Sequence, residues 1–307
     1  MTKGPEPVTS LRAYVFTWMI RWQVRPRLAR AADVHAVRRV FDAAKFPDPP
    51  GVAFRPGAVG GIAGEWAERD GLRPDAPRLL YLHGGGFIAC SARTHRPLIG
   101  ALAQRGFRIF APDYRLAPEH PFPAGLDDAA AAWTAFAAEG PAGLAGDSAG
   151  GNLALALMLR LKREGLPLPA AAALFSPATD MLGTGASMQA NARRDAMFDP
   201  ASLPGLVEAY LAGHDAADPL VSPLYGDPAG LPPLLFHVGA NELLRDDSVR
   251  FAEKARAAGV DVALTVWPVV PHAWQFAASF LPEARRSLTA AASFLGRHLA
   301  AAREPVA

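Results

Sequence analysis

The sequence predicts an α/β fold built on a mostly parallel sheet with helices on both faces. Three observations carry that expectation. From residue 78 onward, short apolar runs alternate with segments of helical periodicity. The runs are continuously apolar rather than alternating, the pattern of strands buried on both faces. The chain has 307 residues, half of them hydrophobic and a fifth charged, enough for one large core.

Two helical patterns open the chain, at 8–28 and 31–45, and the prolines of KFPDPPG (45–51) end them. Residues 52–69 read as two short strands around a glycine-rich turn. Strand patterns follow at 78–83, 107–112, 142–146, 171–176, 234–239 and 262–267. Helical patterns lie between and after them, near 94–105, 124–138, 149–164, 246–258 and 273–299. Residues 178–215 interrupt this rhythm with short helices and turns but no strand. An insertion over the carboxyl edge of the sheet, where α/β proteins bind ligands, accounts for that break. The expected organisation is therefore a helical cap part at 1–50, core at 51–177, cap insertion at 178–215 and core again at 216–307.

Composition excludes several classes. The 31 basic and 29 acidic residues leave a net charge of +2, which gives no electrostatic case for nucleic acid. The single cysteine, Cys90, rules out an intrachain disulfide and leaves cytoplasmic residence as the default expectation. A small buried residue is the expected role for Cys90, because no histidine or basic cluster is placed to activate its thiol. No apolar stretch approaches the ~20 residues of a spanning helix, so no stable membrane insertion is expected. The apolar YVFTWMI (14–20) is short for a signal segment and reads as part of an amphipathic helix resting on the protein, with a membrane-surface or targeting role as the alternative. The glycines of 52–69 do not follow G-x-G-x-x-G, and neither H-E-x-x-H nor a phosphate-binding loop occurs. Neither cofactor nor metal is expected. A homodimer is compatible with the sequence.

The chemistry concentrates in two glycine-rich joints. GDSAG (146–150) fits G-x-S-x-G and lies directly after a strand pattern and directly before a helical one. Glycines flanking Ser148 leave room for a sharp strand-to-helix bend, which exposes the hydroxyl at a helix N-terminus. A serine that only caps the helix is the competing reading. YLHGGGFIACSARTH (81–95) places three successive glycines at the end of another strand. Their unshielded amides suit an oxyanion, and Gly85, Gly86 and Ala149 are the expected donors.

Together HGGGF, DYRLAPEHPFPA (113–124) and GDSAGGNLA (146–154) resemble the hormone-sensitive lipase family of α/β-hydrolases. The resemblance spans about residues 75–300. It implies an eight-stranded sheet, a helical cap and a Ser–acid–His triad in that chain order. It also implies carboxylic ester hydrolysis, of short- to medium-chain esters, on a small-molecule ester substrate. Lactone, amide or carbamate hydrolysis on the same triad, or a noncatalytic small-molecule receptor, are the alternatives.

Among eight histidines, His272 in WPVVPHAWQF follows the last strand pattern at the carboxyl end of the sheet, where a base can reach Ser148. His237 lies inside an apolar strand and reads as a core histidine, and His83 as a brace for the glycine loop. In HVGANELLRDDS (237–248) the family's first acidic position is occupied by Glu242 and its second by Asp246. Glu242, thirty residues before His272, is the expected triad acid, with Asp246 and then Asp247 as alternatives. Phe87, Met181, Met197 and Phe198 are candidates for lining an apolar substrate pocket, or equally for cap core.

Overall fold

The computed structural model describes residues 9–43 and 46–303. The ends of the expected cap part at 1–8 and core at 304–307, and positions 44 and 45 of the second helical pattern, lie outside the described residues.

Eight strands are found among these residues: β1 (Val52–Val59), β2 (Ile62–Arg69), β3 (Arg78–Leu82), β4 (Arg108–Pro112), β5 (Ala142–Asp147), β6 (Ala172–Phe175), β7 (Leu234–Gly239) and β8 (Val262–Trp267). They form one sheet in the order β1-β2-β4-β3-β5-β6-β7-β8. Only β2 runs against its neighbours, and every pair from β4 to β8 is parallel. The helices are α1 (Leu11–Gln23), α2 (Arg25–Ala29), α3 (Val34–Ala43), α4 (Arg96–Ala103), α5 (Ala124–Ala137), α6 (Ser148–Glu164), α7 (Ser187–Ala190), α8 (Leu203–Leu211), α9 (Arg245–Ala257) and α10 (Pro282–Ala301). The expected α/β-hydrolase fold is the fold observed. None of these helices is long and apolar enough to cross a membrane.

The continuous apolar runs have a direct structural cause. In β3, Leu80 and Leu82 enter one core while Leu79 and Tyr81 enter the other. In β7, Leu234 and Phe236 share the first core, and Leu235 lies in the second. Alternate residues of a strand face opposite sides, so covering both sides requires apolar residues at every position. The first core is closed by α5, α6 and α9, through Trp133, Leu153 and Phe251 among others. The second is closed by α4, α10 and α1, through Leu98, Leu288 and Phe16.

The N-terminal segment departs from expectation. The pattern at 8–28 is two helices, broken at Val24 where Pro26 follows in the first turn of α2. Helix α1 does rest on the protein, burying Ala13 and Phe16, but it is not amphipathic. Its outer side carries Leu11, Tyr14, Val15, Trp18, Met19 and Trp22, all exposed. Successive residues turn by about 100°, so a run this continuously apolar puts apolar side chains on all sides of the helix rather than on one face.

Phe16 holds α1 down, edge-on to Phe280 with ring centroids 5.4 Å apart and against Phe46. Serine 10 caps the helix, and its backbone N–H and hydroxyl both donate to Glu283 of α10. Phe16→Ala is expected to cost about 3 kcal/mol. In hydrogen exchange, α1 should lose protection while β5 and α6 keep theirs; unchanged exchange in α1 would show that other contacts hold it.

Candidate active site

The bend between β5 and α6 is built by close approach of backbone. A Cβ on Gly150 would overlap the carbonyl oxygens of Leu82 and His83, and one on Gly146 would overlap the carbonyl of Gly150. With glycine at both positions, the start of α6 packs against the end of β3. Ser148 sits at the bend with φ of 53°, a left-handed conformation that costs a side-chain-bearing residue about 1–2 kcal/mol. It does not cap the helix. The N-cap position is Asp147, no side chain accepts there, and Ser148 remains partly exposed.

The close approach brings the glycine loop beside the serine. Gly85 has φ of 118°, which only glycine adopts readily, and a Cβ there would overlap the carbonyl of Ala89. Among the described residues, no acceptor is found for the amides of Gly85, Gly86 or Ala149, whereas Gly84 N–H donates to Asp147 Oδ1 at 3.1 Å. His83 stacks on Tyr114, with centroids 4.2 Å apart, and its Nδ1 is 2.8 Å from the Gly84 carbonyl oxygen. Burial lowers the His83 pKa to about 3, so it braces this loop as a neutral ring.

Sequence reading missed Asp147. Its buried carboxylate accepts hydrogen bonds from the Tyr81 hydroxyl at 2.7 Å and from Gly84, and lies 3.2 Å from His95 Nε2. Burial alone would raise its pKa, but His95 and Tyr81 outweigh that cost and hold it below the ordinary carboxylate value. The signal was the acidic residue immediately before the serine, a type seldom buried without partners.

His272 and Glu242 meet on the loops after β8 and β7. His272 Nδ1 is 2.7 Å from Glu242 Oε2, and both side chains are buried. The other carboxylate oxygen, Oε1, accepts from the Ser176 hydroxyl at 2.8 Å and from Gly239 N–H at 2.5 Å. His272 Nε2 is buried with no hydrogen-bond partner among the described residues. Burial opposes the imidazolium, but Glu242, helped by Asp195 and Asp147, holds the His272 pKa above the ordinary value. Asp246 instead accepts from Ser187 N–H and pairs with Arg245, and Asp247 accepts from the amides of Thr179 and Asp180. These two aspartates hold the start of the insertion rather than the histidine.

Two further polar residues tie the segment between β6 and β7 to the Glu242 loop. Asn191 Nδ2 donates to the carbonyls of Ala240 and Glu242. Asp195 accepts from the amides of Met197, Phe198 and Leu243, and burial raises its pKa. Neither was legible in sequence, because a lone Asn or Asp in a segment without periodicity carries no mark of a partner some fifty residues away.

The pocket candidates divide. Phe198 lies edge-on to His272, with centroids 5.0 Å apart. Phe87 stacks on Tyr210 of α8, with centroids 3.7 Å apart, and Leu206 of the same helix approaches Gly86. Met181 and Met197 are partly buried against the first core. His237 is a core histidine, 2.8 Å from the Ser287 hydroxyl, with its pKa lowered to about 3 by burial. Cys90 is half-buried, and burial pushes its thiol up to about 12. Among the described residues, no group of three or more His, Cys, Asp or Glu is placed to hold a metal.

Comparison with known proteins adds an independent line. The sequence model of a family described by the alpha/beta hydrolase fold matches residues 79–276. An acetyl-hydrolase of Streptomyces hygroscopicus is 42% identical over 252 residues, covering 80% of this chain and 83% of its own. An esterase of Acinetobacter venetianus is 38% identical over 85% of this chain and 88% of its own. Among solved structures, EstE5 superposes with a TM-score of 0.91 at 33% identity, covering 95% of this chain and 100% of that one. An esterase from the bacterial hormone-sensitive lipase family superposes with a TM-score of 0.88 at 37% identity, with the same coverage.

The network around Asp147 makes a graded prediction. Asp147→Ala leaves the Gly84 amide and Tyr81 hydroxyl without their charged acceptor and should cost about 3 kcal/mol or more in urea unfolding. Tyr81→Phe removes a single hydrogen bond and should cost about 1–2 kcal/mol. Equal losses would show that the carboxylate is not the centre of the network.

Proposed function

The chain belongs to the hormone-sensitive lipase family of alpha/beta hydrolases, and we propose that it is a serine carboxylesterase cleaving short- to medium-chain esters through an acyl-enzyme. Ser148 is the nucleophile, His272 the general base and Glu242 the acid that orients it. One observation carries most of this reading: the 2.7 Å contact from His272 Nδ1 to Glu242, with Nε2 on the opposite side of the ring unpartnered.

The cycle follows from that geometry. Glu242 accepts a hydrogen bond from Nδ1–H, which fixes the tautomer and leaves the lone pair on Nε2. His272 takes the Ser148 proton as Oγ attacks the ester carbonyl carbon. The amides of Gly85, Gly86 and Ala149 hold the resulting oxyanion, and each such donor is worth about 2.7–4 kcal/mol. Imidazolium then protonates the leaving alcohol. Water, activated by the same ring, attacks the acyl-enzyme and releases the acid. No step requires a cofactor.

Support for small substrates comes from the cap. Helix α8 lies over the glycine loop through Leu206 and Tyr210, and Phe198 closes against the histidine. The chain's relatives include an acetyl-hydrolase and an esterase, which points the same way. Phe87 and Phe198 are the side chains we assign to the substrate pocket; Met181 and Met197 are only partly buried against the first core.

Ser148→Ala should reduce hydrolysis of p-nitrophenyl butyrate about a million-fold without unfolding the protein. Residual turnover near wild type would exclude the mechanism. Glu242→Ala should be far more damaging than Asp246→Ala, and the reverse order would reassign the acid. The pH profile gives a separate test. The base must be neutral, and the His272 pKa lies above the ordinary 6.5. Activity should therefore fall as pH drops through a value above 6.5, and Glu242→Gln should move that limb to lower pH. A limb that stays in place would mean that the carboxylate does not face the titrating ring.

A further inference from the structure

Helix α1 is apolar on two opposite sides. At about 100° per residue, Ala13, Phe16 and Ile20 fall on the side facing the core. Leu11, Tyr14, Val15, Trp18, Met19 and Trp22 fall on the other, where Trp18 and Trp22 are 60% and 65% exposed. Phe280, packed on Phe16, extends this surface at the helix's flank. A helix apolar all round is normally covered on both sides. Among the described residues nothing covers the outer one.

The surroundings of this stripe specify what fits it. Between Thr9 and Ala32 the chain has five arginines and no acidic residue. Arg25 is engaged with Asp199, but Arg27 and Arg30 are exposed and have no partner among the described residues. Arg21 donates to the carbonyls of Arg193 and Arg194, which sets two more exposed arginines beside α1. Tryptophan and tyrosine on the apolar side, with exposed arginines following closely in the chain and at Arg193 and Arg194 beside the helix, suit a lipid–water interface. Two copies joined stripe to stripe would instead bring these arginines together across a twofold axis, where like charges repel.

We propose that α1 adsorbs the protein reversibly to an anionic lipid surface, with Trp18 and Trp22 in the interface and Arg27, Arg30, Arg193 and Arg194 against the headgroups. The position bears on function. Arg21 and Arg25 bond to residues 192–195 of the insertion, whose next turn carries Phe198 against His272. Adsorption would therefore set the cap side of the site beside a phase in which apolar esters dissolve. That last consequence rests on the hydrolytic reading; the adsorption does not.

Co-sedimentation tests it. The full chain is spun with vesicles of mixed phosphatidylcholine and phosphatidylglycerol, and with phosphatidylcholine alone. Wild-type protein should bind the mixed vesicles more tightly and lose that preference in high salt. Trp18→Ser/Trp22→Ser should weaken binding about ten-fold or more. Arg27→Glu/Arg30→Glu should weaken it by at least about five-fold for each arginine. Both variants should hydrolyse dissolved p-nitrophenyl butyrate like wild type. Binding no tighter in wild type than in the tryptophan variant would overturn the proposal. So would a wild-type dimer in sedimentation velocity that the tryptophan variant dissociates, because the stripe would then belong to a second copy. Vesicle binding by Ser148→Ala protein keeps this test separate from the triad.

Discussion

The site depends on the contact between two stretches of bare backbone. The first turn of α6 lies so near the end of β3 that the carbonyls of Leu82 and His83 fill the space of a side chain at position 150. That contact sets Ser148 in a left-handed conformation and brings the glycine loop alongside it. It also buries Asp147 where the amide of Gly84 can reach its carboxylate. Strain at the serine persists because the packed strands and helix around it leave no room for relaxation.

Two buried carboxylates then divide the electrostatic work. Asp147 sits behind the serine, satisfied by Tyr81, His95 and Gly84, and holds the loop in place. Glu242 sits behind the histidine, with Ser176 and Gly239 on one oxygen and His272 on the other. Each charge is buried with its partners supplied, the condition under which a low-dielectric interior tolerates it. Residues 191–195 join the second of these sets through Asn191 and Asp195, which bond to the Glu242 loop.

The sheet was legible because burial on two faces imposes apolar residues along whole strands, as β3 and β7 show. The glycines of both joints were legible because close backbone approach excludes every larger residue. The ranking of Glu242 above Asp246 came from the family's acidic positions and the thirty-residue spacing to His272, and the structure sets Glu242 against His272 while Asp246 serves Ser187. Helix α1 was read wrongly in one respect. A stretch rich in apolar residues shows that one side is buried, but whether the opposite side is covered depends on what lies across from it.

Local chemistry was thus written in the order of residues: which segments form strands and helices, and where glycines let the backbone bend. What the chain order leaves open is which polar groups become neighbours when loops after different strands converge. Ser176, Asn191 and Asp195 each tie to the Glu242 loop through partners 48–66 residues away. The exposure of Trp18 and Trp22 is of the same kind. A side chain's burial is set by the surface folded against it, and that surface is assembled from segments remote in sequence.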